Sequence, residues 1–319
     1  MSVRVVYVLV SREEDCFYEM FLLSLYSLRK HCPDRKVSLV MDPETYDRVM
    51  AKDDPLWETI EPLRVEIPDG FSPMLRSRYL KTRLRSIIEG DFLYLDTDTV
   101  VCESLDEIDS IPCDIAAVTD ENGPAVIKSA QAIEHCKRAG FGELKRVPYY
   151  NGGVFLVRDS VISRKFFEVW HELWLRSVEN GVSFDQPGLS KANRDTGSPI
   201  KELAGEWNCQ VCTPVGAQFF NSAKIVHYFA SYSSFMKMVI LPHVKSPDRL
   251  DDFALGIVDN PRGMGFEIYN ENYHGRARRC YSGLLFKLRR YPMAYQLLRS
   301  GVAILSRPFS WFLSSKNDD

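Results

Sequence analysis

The sequence predicts an α/β protein with a mostly parallel sheet flanked by helices. Short runs rich in β-branched and aromatic residues alternate with segments of helical periodicity along the chain. Capping residues stand at several of the boundaries between them. Apolar residues make up 45% of the 319 residues and charged residues 26%, which excludes a disordered protein.

The first half of the chain shows this alternation most clearly. A strand at 3–10 precedes an apolar helical stripe that begins at Phe17, with Asp15 available as its cap. A strand at 36–41, a helix opened by Pro43 and a strand at 64–67 follow. Strands that alternate with helices predict βαβ units and therefore parallel pairing.

The next helix leads into the segment that is most informative for function. Ser72 caps this helix, Pro73 occupies its first turn, Gly90 ends it, and the chain enters a strand at 92–96. Further strands are predicted at 114–118, 154–157 and 224–226, and helices at 126–139 and 160–178. The last helix should bury four aromatic residues: Phe166, Phe167, Trp170 and Trp174.

Two aspartates close the fourth strand. Asp96 and Asp98 are separated by Thr97, so their carboxylates lie on the same side of an extended chain. In open α/β sheets, ligands bind at the carboxyl ends of the strands. Two hard oxygen ligands there suit a divalent cation that carries a phosphorylated substrate, although two solvated turn aspartates would give the same pattern.

The cysteines and the N-terminus indicate a reduced, cytoplasmic protein. Eight cysteines are scattered without a disulfide framework, and the first apolar run, at 3–10, is too short for a signal peptide. Cys209 and Cys212 form a C-x-x-C pair without a second pair at zinc spacing, so we interpret them as packing residues.

Several motifs now appear in a characteristic order between residues 3 and 235. They are Ser77-Arg78-Tyr79-Leu80-Lys81, Tyr94-Leu95-Asp96-Thr97-Asp98, Tyr150-Asn151-Gly152-Gly153-Val154, Asp185-Gln186, Trp207-Asn208 and His227-Tyr228. In this order the chain resembles the retaining glycosyltransferases of the glycogenin and bacterial lipopolysaccharide galactosyltransferase group, glycosyltransferase family 8. The resemblance implies the GT-A fold of nucleotide-diphosphosugar transferases.

The resemblance implies a metal site. Asp96, Asp98 and His227 match the family's ligands, and a mixed oxygen and nitrogen set suits Mn²⁺, with Mg²⁺ as the alternative. A metal ion there would stabilise the charge that develops on the leaving nucleoside diphosphate. The other interpretation of His227 is a hydrogen-bonded histidine at the edge of the core.

The resemblance also implies a donor site and a reaction centre. Arg78 would contact the donor's diphosphate or sugar, with Lys81 as second choice, and both lie on one helix face. Asp185 and Gln186 would lie near the anomeric carbon, although Asp185 also stands where it could cap a helix. The remaining donor-binding candidates are Ser11, Asp96, Thr97, Asn151, Gly152 and Gly153.

The chain departs from the family pattern at two places. First, a lysine that usually follows the His-Tyr pair in relatives is missing here, with Lys237 as a substitute. Second, Ser11 stands where relatives carry an aspartate that recognises the nucleotide base. The implied activity is transfer of a hexose, from a UDP-sugar by preference, to a saccharide or glycolipid acceptor with retention. The resemblance places it in cell-surface polysaccharide or lipopolysaccharide synthesis.

Two other function classes are alternatives to the transferase. A sugar-1-phosphate nucleotidyltransferase should carry a Gly-rich phosphate loop after the first strand, and residues 8–13 contain no glycine. A non-catalytic saccharide-binding relative would not need Asp96, Asp98, Asp185 and His227 together. Both classes therefore rank below the transferase.

The C-terminal segment differs in charge from the rest of the chain. Residues 276–319 contain nine basic and two acidic residues, which leaves a net charge of −10 on the preceding residues. Basic residues alternate with leucines and aromatics, a pattern typical of helices that bind anionic membrane surfaces. We expect a transferase domain at 1–250 and an extension at 251–319. We also expect peripheral attachment to the inner face of a membrane and no nucleic-acid binding. For the tail, the alternative is a helix packed on the domain.

Overall fold

The fold was analysed in a computed structural model of the chain. The residues that the structure describes are 2–52, 55–125, 130–142, 144, 147–211, 213, 215–228, 244–246, 249–250, 256, 259, 284, 287–288, 291, 293–295 and 297–298. Cys212, Lys237 and most of the basic segment at 276–319 lie outside them.

Strands form a large central sheet and two small sheets. They are β1 (Arg4–Leu9), β2 (Val37–Met41), β3 (Glu61–Arg64), β4 (Phe92–Leu95), β5 (Thr99–Val101), β6 (Ile115–Thr119), β7 (Tyr150–Val157), β8 (Ile200–Glu202), β9 (Cys209–Gln210), β10 (Ile225–His227), β11 (Val244–Ser246) and β12 (Arg249–Leu250). The central sheet has the order β3-β2-β1-β4-β7-β6-β8.

The central sheet is mostly parallel, as predicted. Strand β7 pairs antiparallel with both β4 and β6, whereas the other four neighbouring pairs are parallel. Strands β1, β4 and β6 therefore run in one direction, and their carboxyl ends share an edge. The small sheet β5-β10-β9 lies beyond that edge, since only residues 96–98 separate β5 from the end of β4.

Helices cover the sheet on both faces. They are α1 (Phe17–His31), α2 (Pro43–Met50), α3 (Pro73–Thr82), α4 (Leu84–Ile87), α5 (Ala130–Arg138), α6 (Val161–Glu179) and α7 (Gln186–Asp195). Among the residues described, 3₁₀ segments lie at Pro55–Glu58, Asp106–Ser110, Asp120–Asn122, Gly205–Asn208 and Gly216–Ser222. No helix among the described residues is long and apolar enough to span a bilayer.

Strand β1 separates the two main apolar clusters because its side chains alternate between faces. Val5, Tyr7 and Leu9 pack with α1, whereas Val6 and Val8 pack with α3, α4 and α6. The second cluster contains three of the four predicted α6 aromatics, Phe166, Phe167 and Trp170, and Trp174 is also fully buried. Ser160 caps α6, as its position in the sequence indicates.

Several predicted boundaries were wrong, and strand β7 begins at Tyr150 rather than at 154. Strand β3 spans Glu61–Arg64 rather than 64–67, because its pairing with β2 starts at Glu61 and includes Pro62. The helix that Ser72 caps breaks at Arg83, and the Thr82 hydroxyl donates to the Arg78 carbonyl at 2.9 Å. A hydroxyl bonded to the preceding turn in this way bends helices.

The first helix begins at Phe17, but its cap is not the predicted one. Cys16, rather than Asp15, is its N-cap. The Asp15 carboxylate still accepts from the Phe17 backbone N–H at 3.1 Å and from the Ser11 hydroxyl at 2.8 Å. It therefore stabilises the turn that leads into α1.

Candidate functional site

The two aspartates of the D-x-D motif lie where β4 leaves the central sheet. The Asp96 backbone N–H donates to the Gly153 carbonyl of β7 at 2.7 Å, which fixes the end of β4. The chain then turns through Thr97 and Asp98 into β5. Strand β5 pairs antiparallel with β10, and this pairing places His227 opposite Thr99.

This pairing brings Asp98 and His227 into contact across 129 positions of sequence. Asp98 Oδ1 lies 3.1 Å from His227 Nε2. One ligand atom from each of Asp96, Asp98 and His227 lies within 4.8 Å of the others, and we call this set the ligand cluster. The cluster offers two carboxylates and an imidazole, a donor set that fits Mn²⁺ and other divalent metals.

Neighbouring side chains hold the ligand cluster in place. His227 is 2% exposed, and its Nδ1 lies 3.1 Å from Asn208 Oδ1. A hydrogen bond at Nδ1 directs Nε2 toward Asp98, and histidines that bind metals are commonly oriented in this way. On the other side, the Tyr94 hydroxyl donates to Asp96 Oδ1. Burial raises the pKa of Tyr94 well above its usual value, and nearby Asp96 adds to this shift, so the phenol stays a donor.

Gly153 makes room for His227. A Cβ at this position would lie 2.3 Å from His227 Cε1 and 2.8 Å from Nδ1, closer than atoms can approach. A Cβ at neighbouring Gly152 would meet Asp185 Oδ2 at 3.3 Å and Lys81 Nζ at 3.5 Å. The glycine pair therefore lets β7 pass beneath two groups of polar side chains, rather than simply starting a strand.

A second group, the cation bridge, consists of Arg78, Lys81 and Asp185. Lys81 Nζ lies 3.2 Å from Asp96 Oδ1 and 3.5 Å from Asp185 Oδ2, and Arg78 Nε lies 3.3 Å from Asp185 Oδ1. Lys81 thus joins the cation bridge to the ligand cluster. Asp185 is the N-cap residue of α7, but its carboxylate makes no capping hydrogen bond. It faces α3 instead.

The cation bridge keeps unused hydrogen-bonding capacity. Burial opposes the charge on Arg78, yet the carboxylates of Asp185 and Asp96 raise its pKa, so the guanidinium stays ionised. Arg78 Nε and Asp185 Oδ2 are buried and contact their ion-pair partners at 3.3 and 3.5 Å without a well-aligned hydrogen bond. Buried polar atoms are normally hydrogen-bonded, so these two atoms could take a better-aligned partner.

A chain of amides extends from His227 to Gln186. Asn208 donates to Asn151 Oδ1 at 3.0 Å, Asn151 donates to Asp120 Oδ1 at 3.1 Å, and Gln186 donates to the same oxygen at 2.9 Å. Asp120 and Asn208 were missing from the predicted site. Asp120 could have been found by the signal that pointed to Asp96, because it directly follows β6 at the carboxyl edge.

Two other predicted donor-binding residues stand apart from these contacts. Thr97 is half-buried between the two aspartates. Ser11 is buried at the end of β1, where its hydroxyl donates to Asp15 and its N–H donates to Thr45 Oγ1 at 3.0 Å. Ser11 therefore shapes the loop after β1, and its predicted contact with the donor stays a prediction.

The described residues of the C-terminal segment divide into two sets. Tyr295 is 2% exposed, and Leu288 and Leu298 pack against the main apolar cluster. Outward-facing apolar side chains accompany them: Leu284, Tyr291, Met293 and Leu297 are 46%, 65%, 79% and 73% exposed. Leu288 thus packs on the domain, as the alternative of a packed helix expects, whereas Leu284 and Tyr291 are exposed.

Comparison with known proteins supports the fold. No protein-family model matches the chain, and no curated protein sequence matches it. Two structures of the glycosyltransferase GlyE from Streptococcus pneumoniae align with TM-scores of 0.51 and 0.50 at 17% and 18% identity, over 83% and 81% of this chain. Mouse xyloside xylosyltransferase 1 aligns with a TM-score of 0.49 at 14% identity, over 72% of this chain and 98% of that one.

The alignments cover 64% and 63% of the two GlyE chains, just under two thirds of each. At these identities the likeness to GlyE shows the fold. The chain has a GT-A-like architecture, with a mostly parallel sheet flanked by helices.

Proposed function

We propose that the protein is a metal-dependent glycosyltransferase that moves a hexose from a nucleotide-sugar to a saccharide or glycolipid acceptor. One observation carries this proposal: the ligand cluster and the cation bridge meet through Lys81 at the carboxyl edge of a GT-A-like sheet. A nucleotide-sugar carries both a diphosphate that needs positive charge and hydroxyls that need polar partners. The two groups of side chains supply these features side by side.

Asp96, Asp98 and His227 would hold the metal, with Mn²⁺ as first candidate and Mg²⁺ as second. A bound divalent ion would act as a Lewis acid that stabilises the leaving diphosphate. The histidine fits this role because Asn208 engages its Nδ1 and Gly153 leaves space beside its ring. A core histidine with no ligand role would not need such clearance next to two carboxylates.

Arg78 and Lys81 would bind the donor. Both cations remain close to carboxylates, so they are oriented before the substrate arrives. Thr97, Asn151, Gly152, Gly153 and Ser11 are the other proposed donor contacts. By family resemblance, a UDP-sugar remains the first candidate donor. The support for uridine is weaker than the support for the diphosphate, because Ser11 stands where relatives carry an aspartate that reads the base.

Gln186 and Asp185 would face the reacting carbon of the sugar. Asp120 holds the Gln186 amide in a fixed direction, and the two cations of the bridge neutralise Asp185. A carboxylate paired in this way is a poor base, which is consistent with a role in binding sugar hydroxyls. Retention of configuration rests on the resemblance to the family 8 glycosyltransferases.

We also propose that the C-terminal segment attaches the protein to the inner face of a membrane, where it acts in cell-surface polysaccharide or lipopolysaccharide synthesis. The outward Leu284, Tyr291, Met293 and Leu297 combine with an excess of basic residues at 276–319. Apolar side chains beside basic ones favour anionic bilayer surfaces. Leu288 and Tyr295 would tie the segment to the domain at the same time.

The proposed activity is tested with a panel of nucleotide-sugars in the presence of Mn²⁺ or EDTA. We expect one donor to be hydrolysed slowly without acceptor, only in the presence of metal. With an α-linked donor and the matching acceptor, NMR of the product should show an α linkage. A β product would refute retention alone. Metal-dependent donor binding without any turnover would support the non-catalytic relative.

A further inference from the structure

A basic pocket lies on the outer side of α3. Its volume is about 340 Å³, and α3, α4 and α6 form its walls. The lining residues are Thr82, Arg83, Arg85, Ser86, Arg164, Phe167, Glu168 and His171. The lining begins at Thr82, the last residue of α3, and includes none of the cation-bridge residues Arg78, Lys81 and Asp185.

The arginines of the basic pocket are incompletely neutralised. Arg83 donates to the Tyr79 hydroxyl at 2.8 Å and has no carboxylate within ion-pair distance among the described residues. Arg164 pairs with Asp159, and the same carboxylate lies 3.7 Å from Arg85. One carboxylate is thus shared by two cations at this end of the pocket.

Arg85 is a buried cation with one nitrogen that makes no hydrogen bond among the described residues. Its side chain is 1% exposed, it donates to the Ile88 and Gly90 carbonyls, and its Nε has no hydrogen-bond partner among the described residues. Burial lowers the pKa of Arg85; the carboxylates of Asp159 and Asp91 oppose this shift, and the positive charge of Arg164 adds to it. A buried cation beside other cations gains stability when an anion approaches.

The acidic groups near the pocket do not cancel this charge. Glu168 lies in the lining, but Lys165 one turn away pairs with it at 3.4 Å. Phe167 supplies an apolar wall, and the Thr82 hydroxyl and His171 Nδ1 lie 2.8 Å apart. A pocket lined by three arginines offers the guanidinium donors that phosphate oxygens prefer.

We propose that this basic pocket binds a phosphate group, at a site separate from the ligand cluster. The phosphate could belong to a soluble ion or to a lipid headgroup. Val161 and Ile162, 84% and 48% exposed, lie at the N-terminal end of α6, and Val161 is three positions before Arg164 on the same face. A lipid headgroup in the pocket would bring these side chains to the membrane surface.

The test begins with inorganic phosphate and the NMR signals of the His171 ring, identified with His171→Gln. Burial and the nearby charge of Arg83 lower the pKa of His171 to about 4. Phosphate should move the His171 resonances saturably and raise this pKa, because the added negative charge stabilises the imidazolium. A ring that is unaffected by phosphate up to high millimolar concentration would overturn the proposal for the soluble ion.

Two variants on α6 form a matched pair. Arg164→Gln and Arg176→Gln remove the same charge from the same helix, and the exposed Arg176 is not among the lining residues. We expect Arg164→Gln to weaken phosphate binding about tenfold, as loss of a charge-assisted hydrogen bond does, and Arg176→Gln to change it less than twofold. Equal losses in both variants would show general charge attraction and refute a pocket.

Sedimentation with vesicles separates the two sources of phosphate. With phosphatidylglycerol vesicles, a lipid-binding pocket predicts weaker sedimentation of Arg83→Gln than of Arg176→Gln. Inorganic phosphate should compete with the lipid headgroups and so weaken the sedimentation of the wild-type protein with these vesicles. If no ring shift occurs with phosphate and both variants sediment like wild type, the pocket binds neither source and the proposal is wrong.

Discussion

Helix α3 separates two polar regions of opposite character. On one face, Arg78 and Lys81 are paired with carboxylates at 3.2–3.5 Å, and the region also includes Asp98. Beyond the end of α3, Arg83 and Arg85 line a pocket with Arg164 of α6, and Asp159 is a shared counter-ion of Arg85 and Arg164. The α3–α4 segment thus supplies cations to an acid-rich cleft and to a pocket in which arginines outnumber carboxylates.

The difference indicates what each region can receive. In the acid-rich cleft the protein's own cations are already balanced, so a substrate that brings a diphosphate needs an additional positive ion. In the basic pocket the excess positive charge needs only an anion. The contrast between the two regions leads to the following expectations, ordered from the largest effect to the smallest.

Asp98→Asn should have the largest effect. Removal of a carboxylate from the ligand cluster should weaken Mn²⁺ binding at least about 100-fold, equivalent to about 2.7 kcal/mol, because an amide oxygen carries no charge. Isothermal titration with Mn²⁺ measures this directly. Asp195→Asn, which removes a carboxylate from a surface ion pair on α7, should leave metal affinity unchanged. Equal affinity in both variants would refute the ligand cluster as a metal site.

Gly153→Ala should affect the same cluster through a steric clash alone, without changing its charge. The added methyl must displace the His227 ring, so we expect a loss of about 1–3 kcal/mol in stability and about a tenfold loss in Mn²⁺ affinity. Gly152→Ala is the control, because its methyl meets Asp185 and Lys81 at 3.3 Å or more. It should alter donor binding more than metal binding. A reversed order of metal affinities would contradict the close contact with His227.

Gln186→Ala should separate turnover from binding. We expect kcat to fall about 100-fold with KM changed less than about threefold, because the amide would act near the reacting carbon. Asp120→Ala removes the acceptor that orients Gln186, and we expect about a tenfold loss in kcat. If the double variant lost as much as both single changes combined, Asp120 and Gln186 would act independently, and the orienting role would be wrong.

His171 gives a smaller, pH-dependent effect in the basic pocket. Its pKa in the folded protein, about 4, is below the ordinary value of 6.5, so the unfolded chain binds this proton more readily. Stability should therefore fall as pH decreases from 6.5 toward 4. Urea unfolding at pH 7 and pH 5 measures this decrease in the free energy of unfolding. In His171→Gln we expect the decrease to be about 1 kcal/mol smaller than in the wild type, allowing for partial exposure of the ring. An identical pH slope in the variant would contradict the shift.

Much of the framework was predicted from local patterns. The strand that leads into Asp96, the Ser72 cap of α3 and the buried aromatic face of α6 all depend on residues within a few positions of one another. Sequence spacing reports such short-range geometry directly. The GT-A-like fold that the motif order implied is likewise confirmed.

The mispredicted features depend on distant partners. Val65 and Ile67 made 64–67 resemble a strand, yet both are only partly buried against the second apolar cluster, and the ladder with β2 starts at Glu61. Edge-strand boundaries follow the neighbouring strand rather than local propensity. The break of α3 at Arg83 likewise places Arg83 and Arg85 against α6, which no periodicity indicated.

The sequence by itself determined which residue types stand at the ends of the strands, because alternation and capping are local properties. Only the tertiary structure decided which of them meet. Antiparallel pairing of β5 with β10 places His227 beside Asp98, and the end of β6 brings Asp120 to Gln186. These contacts join residues 129 and 66 positions apart. They depend on burial of the whole sheet, which a local pattern does not encode.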